Sequence, residues 1–278
     1  MKQIVNVVIN YANEDEVLVY AEHLSKQTIA SNITLVIVVN KEGAIGIDGF
    51  KNKLDEIALD ILVFDPNENL GYMNGLIYGY RQYYKEVQDL PTWVVMSNTD
   101  IAYSSYSFFE DFLGTDYTED TWCIGPSVYS PAKNSYDNPK STERYSIKEL
   151  NRRIFIFEHP SVSYFYKRLA DLKAKLVKNK RRDSQFVYSV HGCFFIVRNE
   201  FSEVLKSRKY KSLMYSEEAY IAEITRAYGK RCYYDSTIEI IHNENTVTSK
   251  LGIRKISKYL ADSLKVIRDE FFIENIKR

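Results

Sequence analysis

Runs of consecutive apolar, often β-branched residues constrain the fold of this chain more than any other feature. The clearest is Ile33–Asn40, which reads Ile-Thr-Leu-Val-Ile-Val-Val-Asn. Similar runs alternate with helix-like segments along the first hundred residues: 3–10, a helix from about Glu14 to Gln27, Ile61–Asp65, a helix over Leu70–Lys85, and Trp93–Ser97. Strands that are apolar on both faces and separated by helices indicate a mostly parallel sheet covered on two sides. The sequence therefore predicts an α/β fold.

Polar residues end several of these predicted strands, namely Asn10, Asn40, Asp65 and Asn98. The carboxyl ends of parallel strands meet at one edge of a sheet, and ligands of open α/β sheets bind there. The segment Asn98-Thr-Asp100 brings a carboxylate to that edge, where Mg²⁺ or Mn²⁺ holding a diphosphate needs few other protein ligands. An ordinary polar turn explains the same residues equally well.

Composition limits the class of protein. The 278 residues suit one large domain, or one domain with an appendage. Lys+Arg and Asp+Glu both number 37, so no global field favours nucleic acid and any basic surface must be local. Three widely spaced cysteines form no disulfide framework, which favours a reducing, cytoplasmic setting. We see no signal peptide and no apolar stretch of about 18 residues, so we expect a soluble or membrane-peripheral protein.

The second half of the chain is less regular. Residues 130–186 are polar, rich in tyrosine and poor in strand signal, and they include the basic run Lys173–Arg182. Further strands and helices are predicted over Phe186–Val197, 217–228, Arg231–Tyr234, Thr237–His242 and the amphipathic tail Arg254–Arg278. The basic run suits either an anionic lipid headgroup or a solvated helix face. The tail suits a membrane surface, an oligomer contact or packing against the main domain.

Two further motifs offer chemistry. Asn69-Leu-Gly71 opens a glycine-containing helix, and a helix start with small residues receives phosphates well, although close packing on the sheet is the simpler explanation. It is neither a dinucleotide fingerprint nor a P-loop. Glu217 and Glu218 begin another helix. A carboxylate there either interacts favourably with the helix dipole or acts as a general base. His242 ends an apolar strand. It is either a structural histidine or a metal ligand beside Asp100.

Taken in order, these segments resemble a family-2 glycosyltransferase of the GT-A fold, especially its bacterial rhamnosyltransferase-like, capsule or O-antigen branch. The matching motifs span about residues 3–245: Val-Val-Ile-Asn-Tyr11, Val-Val-Asn40-Lys, Asn69-Leu-Gly71, Asn98-Thr-Asp100, the Gly-containing strand His191–Arg198, Glu217-Glu218 and His242. The resemblance implies a catalytic domain over 1–245 and a C-terminal helical tail over 246–278. Within the domain it implies a nucleotide-sugar half to about residue 128 and an acceptor half from about residue 129.

What the resemblance implies for function is an inverting, metal-dependent transfer of a sugar from a nucleoside-diphosphate donor to a glycan or lipid-linked hydroxyl. Asp100 and His242 would bind Mg²⁺ or Mn²⁺, Glu218 would be the base with Glu217 in reserve, and His191 and Gly192 would flank the acceptor. The residues expected around the donor are Asn10, Tyr11, Asn40, Asp65, Asn69, Gly71 and Asn98. The setting would be bacterial surface polysaccharide synthesis in the cytoplasm, at the inner face of the membrane if the contact with lipid exists. Oligomerisation stays open, and no nucleic-acid partner is expected.

Three departures from the family pattern keep alternatives open. Asn40 stands where the family often has Asp, Asn98 replaces the first acid of Asp-x-Asp, and the acidic pair is Glu-Glu rather than Glu-Asp. A catalytically silent carbohydrate-binding scaffold of the same fold is therefore one rival. A nucleotidyltransferase is another, although residues 10–20 lack the basic, Gly-rich triphosphate loop that it usually needs.

Overall fold

The central sheet contains ten strands in a computed structural model that describes residues 3–87, 90–176, 178–244 and 252–273. In chain order the strands are β1 (Ile4–Tyr11), β2 (Ile33–Lys41), β3 (Asp60–Phe64), β4 (Trp93–Ser97), β5 (Ile101–Tyr103), β6 (Thr121–Ser130), β7 (Ser135–Tyr136), β8 (Gln185–Val187), β9 (Phe194–Arg198) and β10 (Arg231–His242). Their order across the sheet is β3-β2-β1-β4-β9-β6-β10-β5, with β7 beside β6 and β8 beside β10.

Helices cover both faces of this sheet. They are α1 (Glu14–Ser25), α2 (Gly46–Leu54), α3 (Tyr72–Val87), α4 (Phe108–Leu113), α5 (Ile147–Glu158), α6 (Pro160–Leu176), α7 (Asn199–Lys206), α8 (Glu217–Ala227) and α9 (Ile253–Arg268). The two layers of side chains between the sheet and the helices form separate apolar clusters, one on each face. The predicted α/β architecture with a helix-covered sheet is confirmed.

Strands β3, β2, β1 and β4 are parallel, as the uninterrupted apolar runs predicted. β1 lies between β2 and β4, and Ile4 is in register with Ile33 on one side and Trp93 on the other. Every residue of β4 is buried, which explains why that segment shows no alternation of polar and apolar residues. The carboxyl ends of these strands consequently meet at one edge.

The rest of the sheet is mixed. β9 runs antiparallel to both β4 and β6, β10 runs parallel to β6, and β5 runs antiparallel to β10. β10 is one continuous strand with an irregular register between Asp235 and Glu239, where the sequence suggested two short strands. β6 was not predicted, and the division near residue 128 falls inside it, so that division remains a prediction.

Residues 130–186 contain two helices where we predicted irregular structure. α5 begins after Ser146, whose hydroxyl accepts a hydrogen bond from the Glu149 backbone N–H at 3.1 Å, a regular N-cap. α6 follows almost directly, and several of its apolar side chains face solvent. Their spacing in the sequence is helical, so this helix could have been predicted. In the basic run Lys173–Arg182, the side chains of residues 173–177 lie outside the described part of the structure.

The predicted tail helix is α9, and its apolar face packs against the main body. Ala261, Leu264 and Ile267 are buried, and α9 lies along α5. Of the three predicted roles of the tail, the structure shows packing against the main domain. Residues 245–251 and 274–278 lie outside the described residues. No helix in the described ranges is long and apolar enough to cross a bilayer.

Candidate active site

A cavity of about 670 Å³ opens at the carboxyl edge of the parallel strands. Its wall combines the ends of β1, β2 and β4 with the turn before β9 and with residues from α8, β10 and α9. Eleven of the thirteen predicted site residues line it: Tyr11, Asn40, Asn69, Gly71, Asn98, Asp100, His191, Gly192, Glu217, Glu218 and His242. Groups that are far apart in the chain thus converge around one space large enough for a small molecule.

Asn10 and Asp65 are the two predicted donor residues that do not line the cavity. The Asn10 side chain instead accepts a hydrogen bond from the Asn13 backbone N–H at 3.1 Å and holds the turn into α1. Asp65 is exposed and accepts a hydrogen bond from the Asn67 backbone N–H at 2.6 Å, which is an Asx-type turn. These two strand-end side chains therefore form turns, whereas the strand-end residues Asn40 and Asn98 line the cavity.

Asp100 and His242 meet because β5 pairs with β10. His242 is opposite Ile101 in that antiparallel pair, and the Asn243 backbone N–H donates to the Asp100 carbonyl oxygen at 3.0 Å. The carboxylate Oδ1 and the imidazole Nε2 then lie 3.3 Å apart, each on a side chain less than a tenth exposed.

These two side chains have the chemistry of a divalent-metal site. Within the described residues, Asp100 Oδ1 and both His242 ring nitrogens are buried without a hydrogen-bond partner. Leaving such groups unpaired is costly, and a ligand that accepts their lone pairs removes the cost. A carboxylate suits Mg²⁺ and Mn²⁺, whereas an imidazole suits transition metals, so the mixed donor set fits Mn²⁺ better than Mg²⁺.

His191 and Cys193 extend this group. Candidate ligand atoms of His191, Cys193 and His242 all lie within 4.8 Å of one another. The His191 Nδ1 accepts a hydrogen bond from the Cys193 backbone N–H at 3.2 Å, and burial lowers the pKa of His191 well below its usual value. His191 is therefore neutral, with its proton assigned to Nε2. Cys193 was interpreted only as a small core residue, because its place beside His191 depends on the turn before β9, which the sequence pattern did not predict.

The acidic pair begins α8 after an unusual turn. Tyr215 and Ser216 both have positive φ, at 71° and 60°, and such backbone conformations in non-glycine residues concentrate at functional sites. Glu217 is buried, and burial together with the neighbouring Glu218 charge raises the pKa of Glu217 to about 8. Glu218 is only partly buried and directs its carboxylate against Gly192, where a Cβ would lie 3.2 Å from Glu218 Oε2. The two acids therefore differ in burial and in access to the cavity.

Gly71 brings the start of α3 against the loop that precedes this turn. It has φ of +76°, and a Cβ there would lie 2.4 Å from the Leu213 carbonyl oxygen. The Asn40 side chain donates to the Gly71 carbonyl at 2.9 Å, and the Asn69 side chain accepts from the Gly71 N–H at 2.9 Å. The group that approaches Gly71 closely is therefore the Leu213 backbone of the same chain. Asn40 Oδ1 is buried and has no hydrogen-bond partner in the described structure.

Several wall residues were not anticipated from the sequence. Lys140, Arg153 and Lys255 add positive charge, and Tyr72, Tyr145 and Tyr259 add aromatic surface. The Tyr72 hydroxyl donates to the Gly192 carbonyl oxygen at 3.3 Å, which links α3 to the turn before β9. Except for Tyr72, these residues come from the irregular segment or the tail, where no motif suggested a role.

No known sequence family matches the chain, and no curated protein sequence does either. Solved structures do match. The mannosyltransferase PcManGT from Pyrobaculum calidifontis in complex with GDP-Man and Mn²⁺ superposes with a TM-score of 0.58 at 10% identity, over 99% of this chain and 64% of that one. GalNAc-T7 with UDP, GalNAc and Mn²⁺ gives a TM-score of 0.58 at 12% identity, over 97% of this chain and 49% of that one.

The chain has a GT-A fold. Its structural neighbours are GT-A-type glycosyltransferases, and at these identities the likeness establishes the fold. The chain spans about two thirds of the length of the first neighbour and about half of the second. The resemblance inferred from motif order therefore holds at the level of the GT-A fold.

Proposed function

We propose that this protein is a metal-dependent, inverting glycosyltransferase. One observation carries the proposal: Asp100, His242 and the Glu217–Glu218 pair converge on a single cavity at the carboxyl edge of a GT-A sheet. The two structural neighbours are complexes with GDP-Man and Mn²⁺ and with UDP, GalNAc and Mn²⁺, which supports a nucleotide sugar and a divalent cation as ligands here.

The donor would occupy the side of the cavity formed by β1, β2 and α3. Tyr11 offers an aromatic face, and the buried, unpartnered Asn40 Oδ1 offers an acceptor for a base or ribose donor group. Asn69 and Asn98 complete this wall. Because the Asn40 amide already donates to the Gly71 carbonyl, its orientation is fixed before any ligand binds.

Asp100 and His242 would hold the cation, and a bound Mn²⁺ or Mg²⁺ would neutralise charge on the leaving nucleoside diphosphate. The chain holds these ligands in place by the β5–β10 pairing and the Asn243–Asp100 backbone hydrogen bond. Lys140 adds a further positive charge to the same cavity wall.

Glu218 is the better candidate for the general base. A pKa of about 8 leaves Glu217 mostly protonated at neutral pH, so it would donate a hydrogen bond rather than accept a proton. Glu218 reaches the cavity beside Gly192, where His191 would help to place an acceptor hydroxyl. Glu218 would take the hydroxyl proton as the oxygen attacks the anomeric carbon from the face opposite the nucleotide.

The acceptor would be a glycan or a lipid-linked sugar, in the synthesis of a bacterial surface polysaccharide at the cytoplasmic side of the membrane. The cations Arg153 and Lys255 and the apolar Phe157 and Leu260 line the cavity on the α5 and α9 side. An acceptor that combines a phosphate with an apolar carrier suits such a wall.

Nucleotide release from a panel of GDP and UDP sugars, with and without Mn²⁺, tests the proposal. We expect Mn²⁺-dependent release that rises when acceptor is present, and loss of at least about a hundredfold in Glu218→Gln and in Asp100→Ala. Full activity in Glu218→Gln would remove that residue from the role of base. Tight binding of a nucleotide sugar without turnover in any acceptor mixture would indicate a silent scaffold instead.

A further inference from the structure

Helix α6 presents its apolar side chains to solvent. Val162, Phe165, Leu169 and Leu172 are 41, 66, 67 and 56% exposed. At about 100° per residue these four fall within an arc of about 80° on one side of the helix. Phe155 of the neighbouring α5 is 56% exposed as well. We refer to these five residues as the α6 face.

The opposite side of α6 is polar where it meets the protein. Ser163 is fully buried, and its hydroxyl hydrogen-bonds to that of Ser257 on α9 at 2.6 Å. A helix on the surface of a water-soluble domain normally buries its apolar stripe and exposes its polar side. α6 does the reverse, and exposed apolar surface of this kind marks a contact with a partner or a membrane.

Charge is concentrated in the same part of the chain. Residues 147–182 contain eleven Lys or Arg and three Asp or Glu, a net charge of +8, and the rest of the neutral chain therefore carries −8. Arg168 on α6 and Lys180 and Arg182 beyond its end are exposed. An apolar row on a helix within a segment that has an excess of cations is typical of a helix lying in the interface of an anionic bilayer.

We infer that the α6 face docks on an anionic lipid surface. The apolar side chains would enter the boundary between headgroups and acyl chains, and exposed cations of the segment, such as Arg168, would contact lipid phosphates. A second copy of this chain is a poorer occupant, because a twofold contact would bring two segments of charge +8 together. A polyanion such as nucleic acid would leave the apolar row unused.

The docking surface adjoins the cavity. α6 packs on α5 and α9, and both of these helices also supply cavity residues, including Phe157 and Tyr259. If the proposed transferase activity holds, an acceptor anchored in the same lipid surface would meet the cavity from the α5 and α9 side. The docking inference itself does not depend on that activity.

Sedimentation with vesicles tests the inference without any turnover. We expect binding to vesicles of phosphatidylglycerol and phosphatidylcholine in equal parts, and at least about tenfold weaker binding to phosphatidylcholine alone. The double variant Phe165→Ser/Leu169→Ser should weaken binding to the anionic vesicles at least about tenfold. The matched control is Val19→Ser/Tyr106→Ser, which removes two exposed apolar side chains elsewhere and should bind like the wild type.

Two further variants separate the parts of the surface. Lys180→Glu/Arg182→Glu should weaken binding to anionic vesicles and reduce its sensitivity to lipid charge. In Phe165→Trp, vesicles should shift the added tryptophan emission to the blue, since Trp93 and Trp122 are buried and report little. Equal vesicle binding by Phe165→Ser/Leu169→Ser and its control would overturn the inference. So would a concentration-dependent dimer that only the α6 variant abolishes and that does not bind vesicles.

Discussion

Arg144 and Glu223 form a two-pronged ion pair that ties α8 to the C-terminal end of the described chain. The Arg144 Nε and Nη2 donate to the two Glu223 carboxylate oxygens at 2.7 and 2.8 Å, and the Tyr188 hydroxyl donates to the same carboxylate at 2.9 Å. The guanidinium also stacks over the Phe272 ring, 3.8 Å from its centroid. α8 carries the acidic pair, so this contact holds the candidate base against the helices of the tail.

Removal of one partner of this pair should be strongly destabilising. Glu223 is only 2% exposed, so Arg144→Ala would leave a buried carboxylate without its main partner. We expect a loss of about 2–4 kcal/mol in the free energy of unfolding, toward the lower end of buried pairs because Arg144 is about a third exposed. Urea denaturation measures it.

The control for that measurement is the exposed pair between Arg231 and Asp120. Arg231→Ala should lower stability much less than Arg144→Ala, since both side chains of this pair are well solvated. If the two variants lose similar stability, then the Arg144–Glu223 contact does not have the structural role assigned here.

Gly71→Ala should be poorly tolerated for a reason specific to its neighbour. The new Cβ would meet the Leu213 carbonyl oxygen at 2.4 Å, and the backbone φ of +76° is itself unfavourable for alanine. We expect a loss of about 2–4 kcal/mol, because the clash is with backbone rather than with a flexible side chain. Thermal unfolding monitored by circular dichroism measures the change.

Gly229→Ala separates the two contributions. Gly229 also has a positive φ, of +68°, but no atom lies within 4 Å of its would-be Cβ. Its substitution should cost only about 1 kcal/mol, the strain of the backbone alone. A loss at Gly229 as large as at Gly71 would mean that steric contact with Leu213 is not what makes Gly71 necessary.

The sequence predicted most accurately those strands whose residues are buried on both faces of the sheet. The runs at Ile33–Lys41 and Trp93–Ser97 are buried on both faces, so their strands could be located almost to the residue. Asp100 and His242 were selected because each ends an apolar strand, and both line the cavity; their role as metal ligands remains a prediction. α6 could have been predicted as well, because Val162, Phe165 and Leu169 recur at helical spacing; only the exposure of these side chains could not.

Other parts depend on contacts that no local pattern encodes. The Arg144–Glu223 pair joins two segments that are adjacent only in the folded chain, and neither residue has a distinctive sequence context. Likewise, the role of Gly71 could be inferred as close approach, but the partner, Leu213, could not. Asn10 and Asp65 were predicted around the donor but form turns, because turns and ligand sites use the same residue types.

Glu217 should make stability depend on pH in a characteristic direction. Its pKa is raised in the folded state to about 8, so between its unfolded value and about 8 the folded protein binds more protons than the unfolded one. Stability therefore falls as pH rises through this window, and Glu217→Gln should remove that loss. We expect the variant to exceed the wild type by at least about 1 kcal/mol at pH 8 to 9, and the two to converge near pH 4.

Equilibrium unfolding of both proteins across that pH range checks the prediction. Glu200→Gln serves as the control, because it removes an exposed acid from the first turn of α7. An advantage of Glu217→Gln that is constant with pH would show that the gain comes from packing rather than from titration of the carboxyl group.

Asp100 and His242 should govern binding of Mn²⁺ independently of turnover. Asp100 Oδ1 and His242 Nε2 lie 3.3 Å apart and have no hydrogen-bond partner among the described residues, so removing either side chain leaves a cation with one ligand of this pair. We expect Asp100→Ala and His242→Ala each to weaken Mn²⁺ binding at least about tenfold in the presence of GDP or UDP. Electron paramagnetic resonance measures this directly, since the signal of free Mn²⁺ decreases as the ion binds.

Asp111→Ala and His23→Ala remove the same residue types away from the cavity and should bind Mn²⁺ like the wild type. Mg²⁺ should displace Mn²⁺ only at a large excess, because the imidazole favours the transition metal. Unchanged Mn²⁺ binding in both Asp100→Ala and His242→Ala would place the cation elsewhere in the cavity.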